Sequence, residues 1–438
     1  MHLEYFFLVD KPACMPFNIP ETDQKRVVIV GGGFAGLTLA RKLARKPFQV
    51  VLVDRNNYHQ FQPLFYQVAM AGLEPSSIVF PFRKLFQNLD NVSFRMAEVE
   101  RVDLEAQAIH TNIGHLNFDY LVLATGADTN WYGNERIRAN AIPMKSVSEA
   151  LYIRNNIFED YEHAVTAQDY TQRQPYLDIV VVGGGATGVE VAGSLAEMKK
   201  HIIGKDYADL NRDEIDIHLI HGEARLLSSM SPQASAKSER YLLDLGVQLK
   251  LNTFVTDYDG QTVTMSDGTT LQSNKVIWAA GITGNALEGL PEQSYMRGGR
   301  IQTDAYNRVV GAHNVFVVGD LAHITNAQYP NGYPQVAQVA IQQAKRLSAN
   351  LVALEKGRPI KPFQYNDLGS MATVGRNRAV VDLPFWRFQG TFAWLVWLFV
   401  HLFAILGAKN KIFIFINWVW NYFTYDQSLR LVIKPRRE

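Results

Sequence analysis

Two glycine-rich motifs are the clearest candidates for chemistry in this sequence. The segments RVVIVGGGFAGL and DIVVVGGGATGV each place Gly-x-Gly-x-x-Gly after an apolar, β-branched run and before a helix-like stretch. This spacing suits a tight turn in which backbone N–H groups and the dipole at a helix start bind a phosphate. The motifs begin 152 residues apart, at Gly31 and Gly183. The repeat therefore predicts two domains that each bind a dinucleotide.

The first motif has an acidic residue at the expected distance. Gly31, Gly33 and Gly36 would allow the turn, the approach of a pyrophosphate and close packing of the helix. The next apolar run, QVVLVD, ends at Asp54. An acid in this position can accept a hydrogen bond from a ribose 2′-hydroxyl. The alternative is a glycine-rich turn followed by an ordinary surface aspartate.

The second motif differs at the same place. Gly183, Gly185 and Gly188 repeat the pattern, but the run DIHLIH ends at His221. Three interpretations stay open: Glu223 bonds the ribose from a shifted turn, the site accepts NADPH, or His221 is an ordinary surface residue. An acid would repel a 2′-phosphate, whereas a neutral histidine would not. We favour NADH, with Glu223 as the ribose partner.

Other apolar runs predict the elements that hold these motifs. The segments DYLVLATG, KVIWAAG and NVFVVGD reach Gly126, Gly281 and Asp320. Strands that alternate with helical stretches predict parallel sheets, in which ligands bind at the carboxyl ends of the strands. In flavoproteins with two dinucleotide-binding domains, an aspartate placed like Asp320 bonds the ribityl chain of the flavin. We therefore expect a flavin at the first motif and a nicotinamide nucleotide at the second.

The composition excludes several classes of protein. A length of 438 residues suggests two or three domains. The only cysteine, Cys14, rules out an intramolecular disulfide, a cysteine-rich zinc site and a redox-active cysteine pair. Lys plus Arg is 43 against 42 for Asp plus Glu, which gives no sign of a nucleic-acid-binding protein. We expect no metal site, because the sequence shows no Cys/His cluster.

The C-terminal region is unusually aromatic. Five of the seven tryptophans and 15 of the 50 aromatic residues lie within 385–425. The 21 residues 388–408 are uncharged and could extend ~30 Å as a helix, enough to cross a bilayer. Tryptophan, however, favours the water–lipid interface. We predict amphipathic helices at about 390–406 and 410–424 that lie in one leaflet; a dimer-interface pair and a transmembrane span are the alternatives.

The chain resembles the type II NADH dehydrogenases, which are single-subunit NADH:quinone oxidoreductases among the two-dinucleotide-binding-domain flavoproteins with a glutathione-reductase-like fold. The resemblance runs from about Arg26 to the C-terminus. Besides the Trp-rich tail, it depends on the segments NNYHQFQPLFYQVA, GGATGVE, AQVAIQQAK and GSMATVGRNRAVVD. It implies non-covalent FAD, NADH with NADPH as an alternative, and a membrane quinone as acceptor. It also implies a non-electrogenic reaction, because no span or proton channel is evident.

The resemblance assigns roles to individual residues. It implies that Glu190 assists proton transfer and that Gln338 lies at the quinone pocket, with Gln342 one turn further on the same helix face. Alternatively, Glu190 is an acid that favours a helix start and Gln338 is an ordinary helix residue. The family usually has Glu where this chain has His221. The implied nicotinamide-nucleotide residues are Gly183, Gly185, Gly188, His221, Glu223, Ala280 and Gly281. The implied FAD residues are Gly31, Gly33, Phe34, Ala35, Gly36, Asp54, Arg55, Val99, Ala124, Thr125, Gly126, Gly319, Asp320 and Ala337.

The predicted domain organisation follows from these assignments. Residues 1–24 are an extension outside the main fold, 25–145 and 296–384 are the two parts of the FAD-binding domain, 146–295 bind NAD(P)H, and 385–438 anchor the protein to a membrane. The resemblance also implies a homodimer. We expect peripheral, monotopic attachment to the cytoplasmic face, because the chain has a basic end formed by Arg430, Lys434, Arg436 and Arg437.

Two other functions remain as alternatives. A soluble ferredoxin or rubredoxin reductase shares the fold but predicts a polar, charged C-terminus. A membrane-associated sensor would bind dinucleotides without turnover. Sulfide:quinone oxidoreductases and disulfide reductases are excluded because they need catalytic cysteines within the fold.

Overall fold

The computed structural model describes residues 17–425 and 429–433. The chain separates into two compact units. The described part of the first unit comprises residues 17–59, 81–127 and 284–366, and that of the second comprises 60–80, 128–283 and the described residues from 367 onward. Each unit contains a five-stranded parallel sheet. The predicted α/β fold with two Rossmann-like domains is confirmed.

The strand that leads to Gly31 lies at the centre of the sheet in the first unit. It pairs in parallel with the strand ending at Asp54 on one side and with the strand preceding Ala124 on the other. Its valines and isoleucine are at most 4% exposed, as expected for a parallel strand covered on both faces. In spatial order the five strands are Val315–Val317, Tyr120–Leu123, Lys25–Val30, Phe48–Asp54 and Val92–Met96.

Helices and a small antiparallel sheet complete the first unit. The helices are Phe34–Leu43, Phe82–Phe86 and Ala337–Glu355. The antiparallel strands are Val99–Asp103, Ala108–Thr111 and Gly114–Asn117, and the short parallel pair is Ile301–Gln302 with Ala322–His323. The helix Ala337–Glu355 packs against the helix Phe34–Leu43, which follows the first glycine motif. The helix Phe34–Leu43 therefore lies between Ala337–Glu355 and the strands of the parallel sheet.

The second unit repeats this arrangement around Gly183. Its central strand again leads directly into the glycine motif. In spatial order its parallel strands are Ile142–Pro143, Lys275–Trp278, Ile179–Val182, Ile217–Ile220 and Gln248–Lys250. The antiparallel strands beside them are Val255–Tyr258, Thr262–Met265 and Thr270–Gln272. Its helices before the C-terminal region are Phe65–Ala69, Pro75–Ile78, Glu135–Asn140, Val147–Thr166, Tyr170–Leu177, Ala186–Met198, Gly204–Asp206 and Pro232–Asp244, and residues Lys199–Ile203 form a π-helical turn.

Four short strands occur at the places where the chain passes from one unit to the other. They are Tyr58–Gln60, Val79–Pro81, Ala127–Thr129 and Ile282–Gly284. The parallel sheets, by contrast, each lie within a single unit.

The C-terminal region forms an antiparallel sheet followed by two helices. The strands are Ser370–Gly375, Arg378–Asp382 and Arg387–Gln389. The tail helices, as we call them, are Thr391–Ala404 and Ala408–Thr424, close to the predicted 390–406 and 410–424. Among the described residues, we find no helix with both the length and the apolar character to cross a bilayer.

The compact units differ from the predicted domains at several places. Residues 60–80, 128–145 and 367–384 belong to the second unit, whereas we assigned them to the FAD-binding domain. Residues 284–295 belong to the first unit, whereas we assigned them to the NAD(P)H-binding domain. Phe17 is only 5% exposed within the core of the first unit, and the carbonyl of Pro20 accepts from Gln49 Nε2 at 2.6 Å. The described part of the predicted extension is thus packed on the first unit. Cys14, Lys434, Arg436 and Arg437 lie outside the described residues.

Candidate functional site

The first glycine loop, Gly31–Gly36, has the geometry of a phosphate-binding turn. Gly31 has φ +97°, and a β-carbon there would lie 2.4 Å from the carbonyl oxygen of Ala124. A β-carbon on Gly36 would lie 1.8 Å from the carbonyl oxygen of Gly31. At Gly33, which caps the helix without a side-chain hydrogen bond, a β-carbon would meet nothing within 4 Å. The loop therefore needs glycine at its ends for packing and presents an open, uncapped helix start in its middle, which suits a phosphate.

The second glycine loop, Gly183–Gly188, has nearly the same geometry. A β-carbon on Gly183 would lie 2.3 Å from the carbonyl oxygen of Ala279, and one on Gly188 would lie 1.8 Å from the carbonyl oxygen of Gly183. Gly185 caps its helix without a side-chain hydrogen bond and again faces open space. Each unit thus has a glycine loop and an uncapped helix start of the kind that suits a phosphate.

Asp54 and His221 accept equivalent backbone hydrogen bonds from the two glycine loops. Asp54 Oδ2 accepts the N–H of Gly32 at 2.6 Å, and His221 Nδ1 accepts the N–H of Gly184 at 3.0 Å. Since Nδ1 accepts, the histidine is the neutral tautomer with its proton on Nε2. Burial lowers the pKa of His221, although the nearby charge of Glu223 opposes this effect. His221 is therefore not a bland surface residue, because it holds the glycine loop.

The second ring nitrogen of His221, Nε2, lies in a buried position close to Glu223. Its Nε2 is buried without a hydrogen-bond partner among the described residues, and the nearest carboxylate oxygen, Glu223 Oε2, is 3.9 Å away. The guanidinium of Arg225 donates to the carbonyls of Ser228 at 2.6 Å and Met230 at 3.1 Å. The buried Nε2 atom lies at the carboxyl end of its strand, which is the end where a ribose is expected.

Two residues that sequence reasoning did not place in the site hold the first unit's loops together. His59 is 3% exposed, and its Nδ1 lies 2.9 Å from the carbonyl oxygen of Gly32. Gln343 is 1% exposed, and its Oε1 accepts the N–H of Gly319 at 2.6 Å. Gln343 lies on the apolar face of its helix with Val339 and Leu347, so a polar residue within an apolar stripe was the signal that could have revealed it.

The helix Ala337–Glu355 begins without a side-chain cap from Val336. Ala337 and Gln338 are half-buried in its first turn. Gln342 lies one turn further, but both ends of its side chain are engaged: Nε2 donates to the carbonyl of Asn366 at 2.8 Å, and Oε1 accepts the N–H of Asn366 at 3.0 Å. The uncapped start suits an anionic group, whereas Gln342 secures the neighbouring chain segment.

Glu190 occupies a poorly solvated position in the second unit. Its Oε1 accepts a long hydrogen bond, 3.5 Å, from the N–H of Thr373. Burial raises the pKa of Glu190 to about 8, and that hydrogen bond only partly opposes the rise. The carboxyl is thus largely protonated at neutral pH. A simple helix-start acid would instead be stabilised in its charged form, so this environment does not fit the alternative interpretation.

A close contact fixes the helix that carries Glu190. A β-carbon on Gly193 would lie 1.8 Å from the carbonyl oxygen of Val374, so the helix and the strand Ser370–Gly375 touch through their backbones. One turn beyond, Glu197 Oε1 accepts the N–H of Arg376 at 2.5 Å. Burial also raises the pKa of Glu197. Both carboxyls therefore face the same strand on either side of the glycine.

A cavity of about 140 Å³ lies beside this contact, wholly within the second unit. Thr373, which bonds Glu190, is one of its lining residues, and so is Glu197. Trp418 Nε1 donates to Gln67 Oε1 at 2.8 Å, which ties a tail helix to the cavity wall. Aromatic side chains line much of the rest: Tyr66, Trp394, Trp418, Tyr422 and Tyr425.

Arg376 gives the cavity its positive charge. Its guanidinium lies 4.0 Å from the ring centroids of both Tyr422 and Tyr425, and Nη2 donates to the carbonyl of Tyr422. Its Nε and Nη1 atoms are buried without a partner among the described residues. The cavity can therefore take an aromatic ring that carries hydrogen-bond acceptors.

The structure brings most of the predicted residues together within each unit. In the first, Gly31 adjoins Ala124, and a β-carbon on Gly319 would lie 3.5 Å from Ala35 Cβ. Phe34 is edge-to-face with His59 at 5.4 Å. In the second, the carbonyl of Ala280 accepts from Tyr132 Oη at 2.6 Å. The other predicted residues lie at loop ends or close by. The hydroxyl of Thr125 donates to the carbonyl of Asn285, and both Gly126 and Gly281 have positive φ. Asp320 follows Gly319, Arg55 is exposed after Asp54, and Val99 packs against the hydrophobic core of the first unit.

Comparisons with known proteins agree with this geometry. A family model described as Pyridine nucleotide-disulphide oxidoreductase matches residues 25–344, and one described as NDH2 C-terminal domain matches 368–425. The chain is 37% identical over 408 residues to the type II NADH:quinone oxidoreductase Ndh of Mycobacterium tuberculosis, covering 90% of this chain and 87% of that protein. It is 27% identical to the type II NADH:quinone oxidoreductase of Staphylococcus aureus, covering 82% and 89%. A solved structure of NDH2 from Plasmodium falciparum in complex with NADH has a TM-score of 0.86 at 21% identity, covering 94% of this chain and 100% of that one.

Proposed function

We infer the reaction from the family: the chain belongs to the type II NADH:quinone oxidoreductases, and we propose that it oxidises NADH and reduces a membrane quinone with FAD as cofactor. The balanced reaction is NADH plus a proton plus quinone giving NAD⁺ plus quinol. Bound FAD supplies the two-electron redox chemistry that connects the two substrates. The observation that carries the proposal is that one helix begins at the second glycine loop and bears Glu190 beside an aromatic cavity.

The two glycine loops divide the nucleotides between them. We propose that Gly31, Gly33 and Gly36 hold the FAD pyrophosphate, with Asp54 toward the ribose and Asp320 toward the ribityl chain. The uncapped helix that begins at Ala337 would stabilise negative charge on the reduced cofactor. We assign the second loop to NADH through Gly183, Gly185 and Gly188, since it has the same open helix start.

Quinone reduction consumes protons, and Glu190 is suited to deliver one. At neutral pH its carboxyl carries a proton, because burial holds its pKa near 8. A general acid works best when its pKa lies close to the working pH. We propose that the protonated Glu190 carboxyl supplies a proton toward the acceptor and is reprotonated from water. The aromatic walls of the cavity support the idea that a quinone ring is the molecule accepted there, and Gln338 remains a proposed contact.

The geometry at His221 bears on the choice between NADH and NADPH. The neutral imidazole of His221 gives no charge repulsion of a 2′-phosphate, and the carboxylate of Glu223, 3.9 Å from its Nε2, can accept from a ribose 2′-hydroxyl. The carboxylate of Glu223 would repel a 2′-phosphate, and Arg225 is already engaged with two carbonyls. We therefore propose NADH as the preferred donor, with NADPH used less efficiently.

The tail helices support attachment to a membrane surface. Twelve large apolar side chains on them are at least 41% exposed. They repeat at helical spacing on outward faces, whereas Trp397 and Ile414 face inward and are at most 1% exposed. A patch of this kind marks a lipid or protein interface. We propose a peripheral, monotopic protein on the cytoplasmic face that forms a homodimer. The exposed residues are Phe392, Leu395, Phe399, Val400, Phe403, Ile412, Phe413, Phe415, Ile416, Val419, Trp420 and Phe423.

Steady-state kinetics test the proposed reaction. Flavin-loaded protein should oxidise NADH only when a short-chain quinone is present, with one quinol formed for each NADH consumed. NADH oxidation that requires a ferredoxin or rubredoxin, with no response to quinone, would support the soluble reductase instead. Nucleotide binding without turnover in any of these assays would support the sensor.

A further inference from the structure

Three side chains that the proposed reaction does not use meet at one edge of the second unit's parallel sheet. Asp178 and Asp216 each stand one residue before a strand, and His218 is the second residue of the strand that follows Asp216. The two strands are parallel neighbours, with Val180 paired to His218. Because side chains alternate between the faces of a sheet, all three project from the same face. They lie at the amino ends of the strands, opposite the edge that carries the glycine loop.

The three side chains are close enough to share one ion. One ligand atom from each lies within 4.8 Å of the corresponding atoms of the other two. Ligand–metal distances of about 2.0–2.2 Å place the ligand atoms around a single ion roughly 3–3.5 Å apart. Small adjustments of side-chain torsion angles would therefore be sufficient to bring Asp178, Asp216 and His218 into one coordination sphere.

His218 is the observation that points to a ligand. The residue is 5% exposed, and among the described residues we find no hydrogen bond to its ring nitrogens. A neutral imidazole has a ring-nitrogen lone pair that a metal ion can accept.

The two carboxylates form no close ion pair with any described residue, although the buried Lys275 interacts with Asp178 at longer range. Within residues 17–425 and 429–433, we find no ion pair that includes Asp178 or Asp216. Asp178 is 4% exposed, and its Oδ1 accepts the N–H of Asp216 at 3.0 Å. The nearby basic side chains have other partners: Arg173 bonds Glu214, Lys250 bonds Thr269 and lies near Asp267, and Lys275 bonds Asp160.

We propose that Asp178, Asp216 and His218 bind one divalent first-row transition-metal ion, with water completing its coordination. Two carboxylates and a neutral imidazole match the charge of such an ion. An imidazole ligand favours zinc, copper, nickel or iron over magnesium, calcium or manganese, which prefer oxygen ligands. The ion would connect the starts of two neighbouring strands and stabilise the nucleotide-binding sheet from the edge opposite its ligand. This site is independent of the redox reaction.

Zinc binding by the full-length, untagged, FAD-loaded protein tests the site. After removal of metals with a chelator, added Zn²⁺ should raise the Tm and bind with one-to-one stoichiometry in calorimetry. Co²⁺ should bind with an absorption spectrum typical of mixed nitrogen and oxygen ligands. Asp216→Asn and His218→Gln should each weaken Zn²⁺ binding by at least about tenfold, since even loss of an outer-sphere contact has that effect.

Asp213→Asn is the matched control, because it removes the same charge three residues from Asp216 on an exposed turn. It should retain the zinc response of the wild-type protein. Asp216 is only half-buried, so its variant is expected to fold, and NADH oxidation verifies this. Absence of a zinc response in the wild-type protein overturns the proposal. So does a response that Asp216→Asn and His218→Gln leave unchanged.

Discussion

At the scale of single residues, the protonation of Glu190 determines the expected pH dependence. Its pKa is raised to about 8, so the neutral carboxyl is present below that pH and is lost as the pH rises through it. We expect quinone-dependent turnover to fall across this range. Glu190→Gln should reduce kcat with quinone by about 10²-fold, a typical effect of losing a general acid, and should abolish this limb of the pH profile. Stopped-flow reduction of the cofactor by NADH should change little.

Glu105→Gln is the control for this substitution, because Glu105 lies in an exposed turn of the first unit. Its pH profile should match that of the wild-type protein. A Glu190→Gln profile that still declines near pH 8 would assign that limb to a different group, and Glu197 would be the next residue to test.

His221 leads to a second prediction at this scale. His221→Glu adds a carboxylate near the ribose 2′ position, so kcat/KM for NADH relative to NADPH should increase by about tenfold or more, by repulsion of the 2′-phosphate. The ratio is measured with both nucleotides at one quinone concentration. His221→Asn, which retains a side-chain acceptor without a new charge, is the control and should leave the ratio near the wild-type value. An unchanged ratio in His221→Glu would place the selector at Glu223.

At the scale of secondary-structure elements, the backbone contact at Gly193 joins the Glu190 helix to the strand Ser370–Gly375. A β-carbon at this position would overlap the carbonyl of Val374, so Gly193→Ala must push the two elements apart. Overpacking of this kind costs about 1–3 kcal/mol. We expect a lower free energy of unfolding in urea titrations. Gln233→Ala, on an exposed turn of another helix, should have little effect, and equal stability of Gly193→Ala and the wild-type protein would contradict the rigid contact.

The sequence was sufficient for elements whose signal is local. The glycine motifs predicted both strand–turn–helix units, and the uncharged aromatic run predicted the bounds of the tail helices to within two residues. The predicted family is confirmed by the relatives. Contacts made by distant segments had no such signal: the sequence did not show that Gly193 would touch Val374, or that Gln343 would bond Gly319. Asp178, Asp216 and His218 were missed for the same reason, because only strand pairing brings them together.

At the scale of the whole molecule, the exposed face of the tail helices should determine where the protein is found. Phe399→Asp with Ile416→Asp places a charge on the outward face of each helix. Burying a charge in lipid is unfavourable, so this variant should lose binding to anionic vesicles in a flotation assay. Its Tm should stay near that of the wild-type protein, because both residues are more than half exposed.

Leu243→Asp is a suitable control, since Leu243 is 50% exposed on a different helix. It should float with vesicles as the wild-type protein does. If the double variant still binds vesicles but dissociates from a dimer to a monomer in light scattering, the face is a protein interface, which was the alternative from the sequence.

The Gly193 contact also restricts how the length of this chain can change. With the helix clamped at Gly193, the rise of 1.5 Å per residue sets the separation along the helix axis between Gly188 and Glu197 at about 14 Å. One inserted or deleted residue would rotate everything on one side of it by about 100° and turn a carboxyl away from the strand Ser370–Gly375. Members of this family should therefore accept substitutions along the helix far more readily than insertions or deletions. The number of residues between the second glycine loop and Glu197 should therefore be constant in the family. An alignment of distant relatives can be judged by whether it keeps this number.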